Sequence, residues 1–266
     1  VWYIRPMPGA ETTRLTCSEL TISVPGRTLV ETLSFECAAG EFLAVLGPNG
    51  VGKSLALHTL AGLRSPLSGH VKLGGAGLDE LSRRQIAASL ALLPQYTEDF
   101  FPSTVFDTVM IGRHPHIARW QWESTGDRAA ALDALARVDL ADLVERDVLT
   151  LSGGERRRLA VAQILTQAPR VFLLDEPTNH LDPQHQLDVL GIFRGMANDG
   201  HAVIASLHDV NLAARFADRC LLLYGDGRWE IGPIAEVLTG ERLSELYLTG
   251  MEPVPWRDGQ LFVATG

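Results

Sequence analysis

The segment Gly47–Ser54, with the sequence GPNGVGKS, constrains the fold more than any other part of this chain. It fits the pattern GxxxxGK[ST], follows the apolar run Phe42–Leu46 and opens a helical pattern over Ser54–Leu63. In this strand–loop–helix context, glycine-rich loops wrap around phosphate groups, because the backbone N–H groups and the helix N-terminus both favour an anion. The segment therefore predicts an α/β fold with a nucleotide-phosphate site.

The side chains of this loop have predictable tasks. Lys53 is expected to reach the β- and γ-phosphates, and the Ser54 hydroxyl is expected to ligate Mg²⁺. The glycines let the backbone approach the ligand closely. The remaining nucleotide-binding candidates are Asn49, Gly50, Val51 and Gly52 of the segment and Leu55 directly after it.

Three further short runs are apolar on every residue, namely Val171–Leu174, Ala202–Ala205 and Leu221–Leu223. Continuous apolar runs bounded by turn residues are typical of strands that are buried on both faces of a mostly parallel sheet. Between about residues 102 and 168 the pattern is helical, without a strand-like run. The sequence thus predicts an α/β core that carries a helical insertion.

Two carboxylates, Asp175 and Glu176, directly follow the run Val171–Leu174. Charged groups are costly inside a sheet, so we expect the pair at the carboxyl end of the strand, where open α/β sheets bind ligands. Asp175 is then placed to hold Mg²⁺, and Glu176 to act as base on the attacking water or to orient it. Together with the glycine-rich loop, the pair predicts hydrolysis of a nucleoside triphosphate.

The segment Leu151–Glu155, LSGGE, distinguishes between the families that share such a loop. A serine and two glycines before a helix form a second anion-binding helix start. One ATP needs one such cradle, so a second cradle indicates two copies that pair head to tail across two nucleotides. With these motifs, the chain resembles the nucleotide-binding subunits of ATP-binding cassette (ABC) transporters over about residues 15–250.

The resemblance implies roles for further residues. Gln95 corresponds to the glutamine loop, which senses a membrane partner, and His208 to the switch histidine near the γ-phosphate. Asp182, which precedes a helix-starting proline, lies in the dimer-communication loop Asn179–Asp182. In the dimer, the signature residues of one copy would contact ATP in the phosphate loop of the other copy. These signature residues are Ser152, Gly153, Gly154 and Glu155. The implied catalytic residues are Glu176, His208 and Gln95, and the implied Mg²⁺ ligands are Ser54, Gln95 and Asp175.

The same resemblance implies the fold class and its divisions. The fold class is α/β, with a P-loop NTPase core, a mixed sheet, a small antiparallel β region and an inserted α-helical subdomain. The expected parts are the first part of the ATP-binding core (15–95), the helical subdomain with the signature motif (96–168), the second part of the core (169–232) and a C-terminal extension (233–266). The extension is expected to carry two short helices and a small β element.

Three positions depart from the family pattern. Leu55 stands where a hydroxyl residue is usual near the α-phosphate, and Val24 stands near the position of an aromatic residue that stacks on adenine. The loss of a stacking ring costs roughly 1–3 kcal/mol by analogy with base stacking, so we expect weaker or less base-selective binding. Arg157 stands where many relatives have glutamine, a change for which the sequence offers no physical account.

Motifs around the helical part narrow the type of transporter. The segments Phe101–Val109 and Gly112–His116 and the ending Glu241–Tyr247 are similar to those of ATPases that power uptake of iron–siderophore complexes, haem and cobalamin. This resemblance implies a homodimer of ATPase subunits, transmembrane permease subunits and, indirectly, a substrate-binding protein. It also implies a location at the cytoplasmic face of the inner (plasma) membrane, where the permease holds the chain.

Composition and motifs limit the alternatives. No apolar stretch approaches the roughly 18 residues that a membrane span needs. The net charge of −9 argues against a nucleic-acid partner. A GTPase or kinase on the same core would not explain LSGGE. The alternatives that stay open are a soluble ABC-type ATPase that is not coupled to a permease, and an ABC ATPase for a different class of substrate.

Overall fold

A computed structural model describes residues 15–95, 102–118, 121–257 and 259–265 and has an α/β architecture. The strands, in chain order, are β1 (Leu15–Val24), β2 (Arg27–Cys37), β3 (Phe42–Leu46), β4 (Ser68–Leu73), β5 (Ala76–Gly77), β6 (Leu90–Leu93), β7 (Val171–Asp175), β8 (Ala202–Ser206), β9 (Arg219–Leu223), β10 (Trp229–Pro233), β11 (Gly250–Trp256) and β12 (Gly259–Thr265). The α-helices are α1 (Lys53–Leu60), α2 (Arg83–Ser89), α3 (Val105–Met110), α4 (Thr125–Arg137), α5 (Gly153–Gln167), α6 (Pro183–Asn198), α7 (Val210–Phe216), α8 (Ile234–Val237) and α9 (Gly240–Tyr247). This order confirms the prediction of an α/β core with an inserted helical part, which here lies between β6 and β7 in the chain.

The predicted buried strands lie side by side in one mixed sheet, in the order β10-β9-β3-β8-β7-β6. The strands from β9 to β6 in this order are parallel to one another, whereas β10 at the edge is antiparallel to β9. Every residue of β3, β7 and β8 is buried, as expected for strands that are covered on both faces. Because these three strands are parallel neighbours, their carboxyl ends meet at one edge of the sheet.

A second sheet, in the order β2-β1-β4-β5, is antiparallel and confirms the predicted small β region. Leu20 and Leu33 of this sheet belong to the same buried cluster as Leu57 of α1 and Leu173 of β7. Since α1 contacts both sheets, burial of this apolar cluster fixes the start of α1 against the core.

The inserted helical subdomain is confirmed by α3, α4 and α5. These helices follow β6 and precede β7 in the chain, and they pack against one another. Val109, Leu135 and Val161 of these helices share a buried cluster with Phe172 of the central sheet. The two glycines of the signature segment already belong to the first turn of α5, because Ser152 is the N-cap residue. Of the predicted segment Phe101–Val109, Phe101 lies outside the described residues.

The C-terminal part carries the short helices α8 and α9 and a hairpin of β11 and β12, as the sequence predicts. Asn211 of α7 links the hairpin to the core through two hydrogen bonds with Phe262 of β12. Its side chain donates to the Phe262 carbonyl (3.2 Å) and accepts from the Phe262 N–H (2.8 Å). Within the described ranges, no helix combines the length and the apolar character that crossing a bilayer requires.

Candidate active site

The loop between β3 and α1 has the backbone shape that the glycine pattern predicts. Gly50 (φ 76°) and Gly52 (φ 107°) adopt left-handed conformations, which glycine reaches without the strain of a side chain. Gly52 is the N-cap of α1, and no side chain of the described residues caps this helix. The first N–H groups of α1 are therefore available to an anion.

Lys53 places a cation in the same loop. Its side chain is buried, and Nζ donates to the carbonyls of Gly47 (2.7 Å) and Pro48 (3.2 Å). Burial lowers the pKa of Lys53, and the negative charges of Glu176 and Asp175 oppose this shift. An ammonium group beside an open helix N-terminus suits a polyphosphate ligand.

Asp175 and Glu176 lie at the carboxyl end of β7, as the sequence predicts, but both are largely buried. Ser206, at the end of β8, supplies part of the reason. Its hydroxyl donates to Asp175 Oδ1 (2.7 Å) and accepts from the Glu176 N–H (2.9 Å). Glu176 also has a left-handed backbone (φ 48°), a conformation that is uncommon outside glycine and that clusters at functional sites.

Three side chains converge on the carboxylate of Glu176. Gln95 Nε2 donates to Oε2 (2.7 Å), and Asn179 Nδ2 donates to the same oxygen. His208 Nε2 lies 2.5 Å from Oε1. Gln95 follows β6, Glu176 follows β7 and His208 follows β8, so the parallel strands bring the three implied catalytic residues into direct contact.

Gln95, Glu176 and His208 line a cavity of about 380 Å³, whereas Asn179 and Asp175 are not part of its lining. The predicted residues among its lining are Asn49, Gly50, Gly52, Lys53, Ser54, Leu55, Gln95, Glu176 and His208. Val51 is the exception within the loop, because its side chain belongs to the buried core. The structure therefore brings most of the predicted nucleotide-binding and catalytic residues together in one place.

The antiparallel sheet contributes Val24, Arg27 and Leu29 to the lining of this cavity. Arg27 is fixed there, since its Nε donates to the carbonyl of Gly225 (2.9 Å). The position near which the family has an aromatic ring thus carries an aliphatic side chain with an arginine beside it. Arg27 is not recognisable from sequence alone, because a single arginine at the start of a strand carries no specific signal.

The signature residues lie elsewhere on the chain. Ser152 and Gly153 are exposed, and the described residues that line the cavity include no member of the signature segment. Ser152 accepts from the Glu155 N–H (3.2 Å), while the Glu155 carboxylate accepts from the Ser152 N–H (2.7 Å). These bonds lower the pKa of Glu155. The start of α5 is a complete capping box, but it lies outside the cavity of its own chain.

Asp182 is likewise exposed and outside the cavity lining. It is the N-cap of α6, followed by Pro183 at the first helical position, as the sequence predicts. Its carboxylate accepts from the His185 N–H (3.0 Å) and lies 2.8 Å from His185 Nδ1, and these contacts lower its pKa. Asp182 is thus a negatively charged group on the surface near the start of α6.

Oxygen atoms suited to Mg²⁺ are offered by the predicted ligands Ser54, Gln95 and Asp175. In the part of the chain that the structure describes, no three His, Cys, Asp or Glu side chains cluster to hold a metal by themselves. One carboxylate together with a hydroxyl and an amide oxygen fits Mg²⁺, because this ion keeps several water molecules and is bound through one or two carboxylates together with substrate phosphates.

Two polar residues of the site were not predicted in their observed roles. Ser206 is completely buried at the end of an otherwise apolar strand, and this contrast is a signal that could have identified it. Asn179 is assigned by sequence only to the dimer-communication loop, whereas in the structure it contacts Glu176. Both residues fix the orientation of the acidic pair.

Comparisons with known proteins agree with this geometry. The family model described as ABC transporter matches residues 30–179. The chain is 42% identical over 234 residues to the hemin import ATP-binding protein HmuV of Gloeobacter violaceus, which covers 85% of this chain and 84% of that relative. It is 46% identical over 211 residues to the hemin import ATP-binding protein HmuV of Deinococcus radiodurans, which covers 77% of this chain and 79% of that relative.

A solved structure gives the same result at the level of the fold. The chain superposes on a metal-chelate type ABC transporter in an inward-facing conformation with a TM-score of 0.83 and 28% sequence identity, over 96% of this chain and 98% of that one. The family model covers both the loop before α1 and the acidic pair at the end of β7. The chain therefore belongs to the ABC transporter family, and it is an ATP-binding subunit with ATPase activity.

Proposed function

We propose that two copies of this ATPase close around two Mg-ATP and that closure drives import of a metal chelate through a permease. One observation carries the proposal. Lys53, Glu176 and His208 share a cavity, whereas the capped start of α5 at Ser152 is exposed outside that cavity. An exposed helix N-terminus is complementary to phosphates that a second copy holds. A two-fold arrangement would satisfy both sites at once.

The residues of the active site have different roles in hydrolysis. The loop N–H groups and Lys53 hold the phosphates, and Ser54, Asp175 and Gln95 would hold Mg²⁺, which supplies further neutralisation of phosphate charge when bound. Glu176 takes a proton from the attacking water or orients it. His208 orients the Glu176 carboxylate, which it contacts at 2.5 Å, and it would reach the γ-phosphate.

The second copy supplies the missing donors. Phosphoryl transfer depends on positioning and on stabilisation of charge at the transferring group, and little covalent chemistry is left to the protein. Ser152, Gly153 and Gly154 of one copy would offer a hydroxyl and N–H groups to the γ-phosphate in the other. Glu155 fixes this helix start through the capping box, and Asp182 would lie at the contact between copies.

The proposed cargo is a metal chelate of the haem, iron–siderophore or cobalamin class. Of these, haem is the cargo that we favour. The two relatives described above are named for hemin import, and the structural neighbour for metal-chelate transport, which supports this class. The cargo itself is selected by permease and substrate-binding protein rather than by the ATPase. The chain would act at the cytoplasmic face of the membrane, where the permease holds it.

Reconstitution tests this proposal. With its permease in lipid vesicles, we expect the chain to hydrolyse ATP faster when a haem-loaded binding protein is added, and haem to cross the membrane only with ATP. A complex that carries Glu176→Gln is the matched control and should do neither. Transport of an iron–siderophore complex or cobalamin instead would reassign the cargo, and recovery of the chain without any membrane partner would favour a soluble ATPase.

A further inference from the structure

Arg157 is a buried cation that the mechanism above does not use. It lies in α5, five residues after the N-cap Ser152, and is 4% exposed. A guanidinium inside a protein is costly unless its N–H groups find acceptors, and it has five of them in one planar fork. Its position next to the active site therefore needs a physical reason.

The fork of Arg157 makes five hydrogen bonds, all of them to backbone carbonyls. Nη1 donates to Pro94 (2.6 Å) and Gln95 (3.4 Å), Nη2 donates to Asp175 (2.7 Å) and Glu176 (2.7 Å), and Nε donates to Pro177 (3.3 Å). The number of bonds equals the number of N–H groups, so the cost of burial is offset by full use of the donors.

The acceptors belong to two separate parts of the active site. Residues 94–95, here called the glutamine segment, follow β6, and residues 175–177, here called the catalytic turn, begin at the last residue of β7. Glu176 has a positive φ of 48°, which costs free energy and needs support from its surroundings. Nη2 of Arg157 bonds the carbonyls of Asp175 and Glu176, which flank the strained backbone of Glu176. The guanidinium therefore stabilises the conformation of the turn.

The charge of Arg157 is retained in this environment. Burial lowers its pKa to about 10, while the carboxylates of Asp175 and Glu176 oppose the shift. The group is therefore protonated at neutral pH, and it lies against the backbone of the acidic pair. A neutral side chain at this position would provide neither the five donors nor the positive charge.

We infer that Arg157 is a positioning residue that ties the signature helix α5 to the glutamine segment and to the catalytic turn, so that these three parts move as one unit. The inference rests on the proposed dimer, in which the start of α5 in one copy contacts the ATP of the other. Movement of α5 on closure is then passed to Gln95 and Glu176 of the same copy. Arg157 thereby couples the two ATP sites of the dimer.

Three substitutions test this role on the purified protein. Arg157→Gln removes the charge and three of the five N–H groups. Arg157→Lys keeps the charge but replaces the planar fork by one ammonium nitrogen, which cannot span both segments. Arg158→Gln is the matched control, because Arg158 lies in the same turn of α5 but bonds the carbonyls of Val138 (2.9 Å) and Asp139 (3.1 Å) inside the helical subdomain.

We expect Arg157→Gln and Arg157→Lys to lower kcat for ATP hydrolysis by about 10-fold to 100-fold, the effect of misplacing catalytic groups by a fraction of an ångström to one ångström. KM and the equilibrium affinity for ATP should change less than about twofold, because the phosphate loop is untouched. Arg158→Gln should match the wild type in both quantities. The thermal unfolding midpoint of each variant is measured alongside.

Wild-type kcat in a folded Arg157→Gln would overturn the inference. A parallel loss of kcat, nucleotide affinity and thermal stability would overturn it too, since that pattern indicates a purely structural role. If Arg157→Gln does not fold, Arg157→Lys decides by the same split between kcat and KM. Failure of the proposed function is separate, because it would show as a wild-type chain that hydrolyses ATP but neither dimerises around it nor drives import of a metal chelate.

Discussion

Glu176→Gln is expected to bind ATP normally while hydrolysis falls by roughly 10²–10⁴, the usual contribution of a positioned base. Glutamine has nearly the same shape as glutamate, but its amide cannot take a proton from water. The carboxylate is held by Gln95 (2.7 Å) and approached by His208 (2.5 Å), so its position is fixed before the reaction. Since hydrolysis reopens the proposed dimer, ATP should also trap the variant as a stable dimer.

Single-turnover hydrolysis and light scattering with Mg-ATP measure both effects. The matched control is Glu41→Gln, which changes a carboxylate that is also largely buried but bonds Arg219 (2.8 Å) outside the cavity. This control should hydrolyse ATP at the wild-type rate and should not be trapped as a dimer. Normal hydrolysis by Glu176→Gln would exclude Glu176 as the base.

Lys53→Ala is expected to weaken ATP binding and to lower hydrolysis by at least about 10²–10³, the range for loss of one preorganised group that stabilises transition-state charge. The physical reason extends beyond the lost contact with phosphate. Without the Lys53 ammonium, the carboxylates of Asp175 and Glu176 face the triphosphate with less compensating positive charge. Repulsion between like charges should therefore add to the loss.

Equilibrium titration with ATP and steady-state hydrolysis test this prediction. Lys72→Ala is the control, since Lys72 is the other lysine of the sequence and is exposed on β4, outside the cavity lining. Its affinity and rate should equal those of the wild type. Unchanged ATP affinity in Lys53→Ala would contradict the assignment of the loop as the phosphate site.

The parts of the site that sequence predicts well are contiguous in the chain. The loop Gly47–Ser54 carries its own strand, glycines and helix start, so its backbone shape follows from local rules. The same holds for the capping box that Ser152 begins and for the helix start at Asp182 and Pro183. In each case residues that are close neighbours in the chain determine the structure.

The parts that sequence does not predict depend on the register of neighbouring strands. Gln95 and Glu176 are 81 positions apart and meet because β6 and β7 are paired in parallel. Sequence places Asp175 and Glu176 at the end of a strand, but their burial depends on Ser206 from a third strand. Arg157 is the clearest case, because the sequence offers no physical account of an arginine at this position, whereas its fork reaches two strand ends inside the protein.

The central claim is that each ATP site contains Glu176 of one copy and Ser152 of the other. Mixed dimers with Glu176→Gln and Ser152→Ala can place the two changes on the same copy or on opposite copies. Removing Ser152 also removes a helix cap worth about 1 kcal/mol. Ser124→Ala is the control for this effect, because Ser124 forms the same kind of capping box at the start of α4.

The measurement is the ATPase rate of the two mixed dimers, compared at equal protein concentration. If the sites are shared, placing Glu176→Gln on one copy and Ser152→Ala on the other puts both changes in the same ATP site and leaves the second site intact. Placing both changes on one copy puts one change in each site, so both sites are damaged. We therefore predict clear activity for opposite copies and little activity for the same copy. The reverse order of rates would mean that each chain contains a complete site, and it would contradict the account.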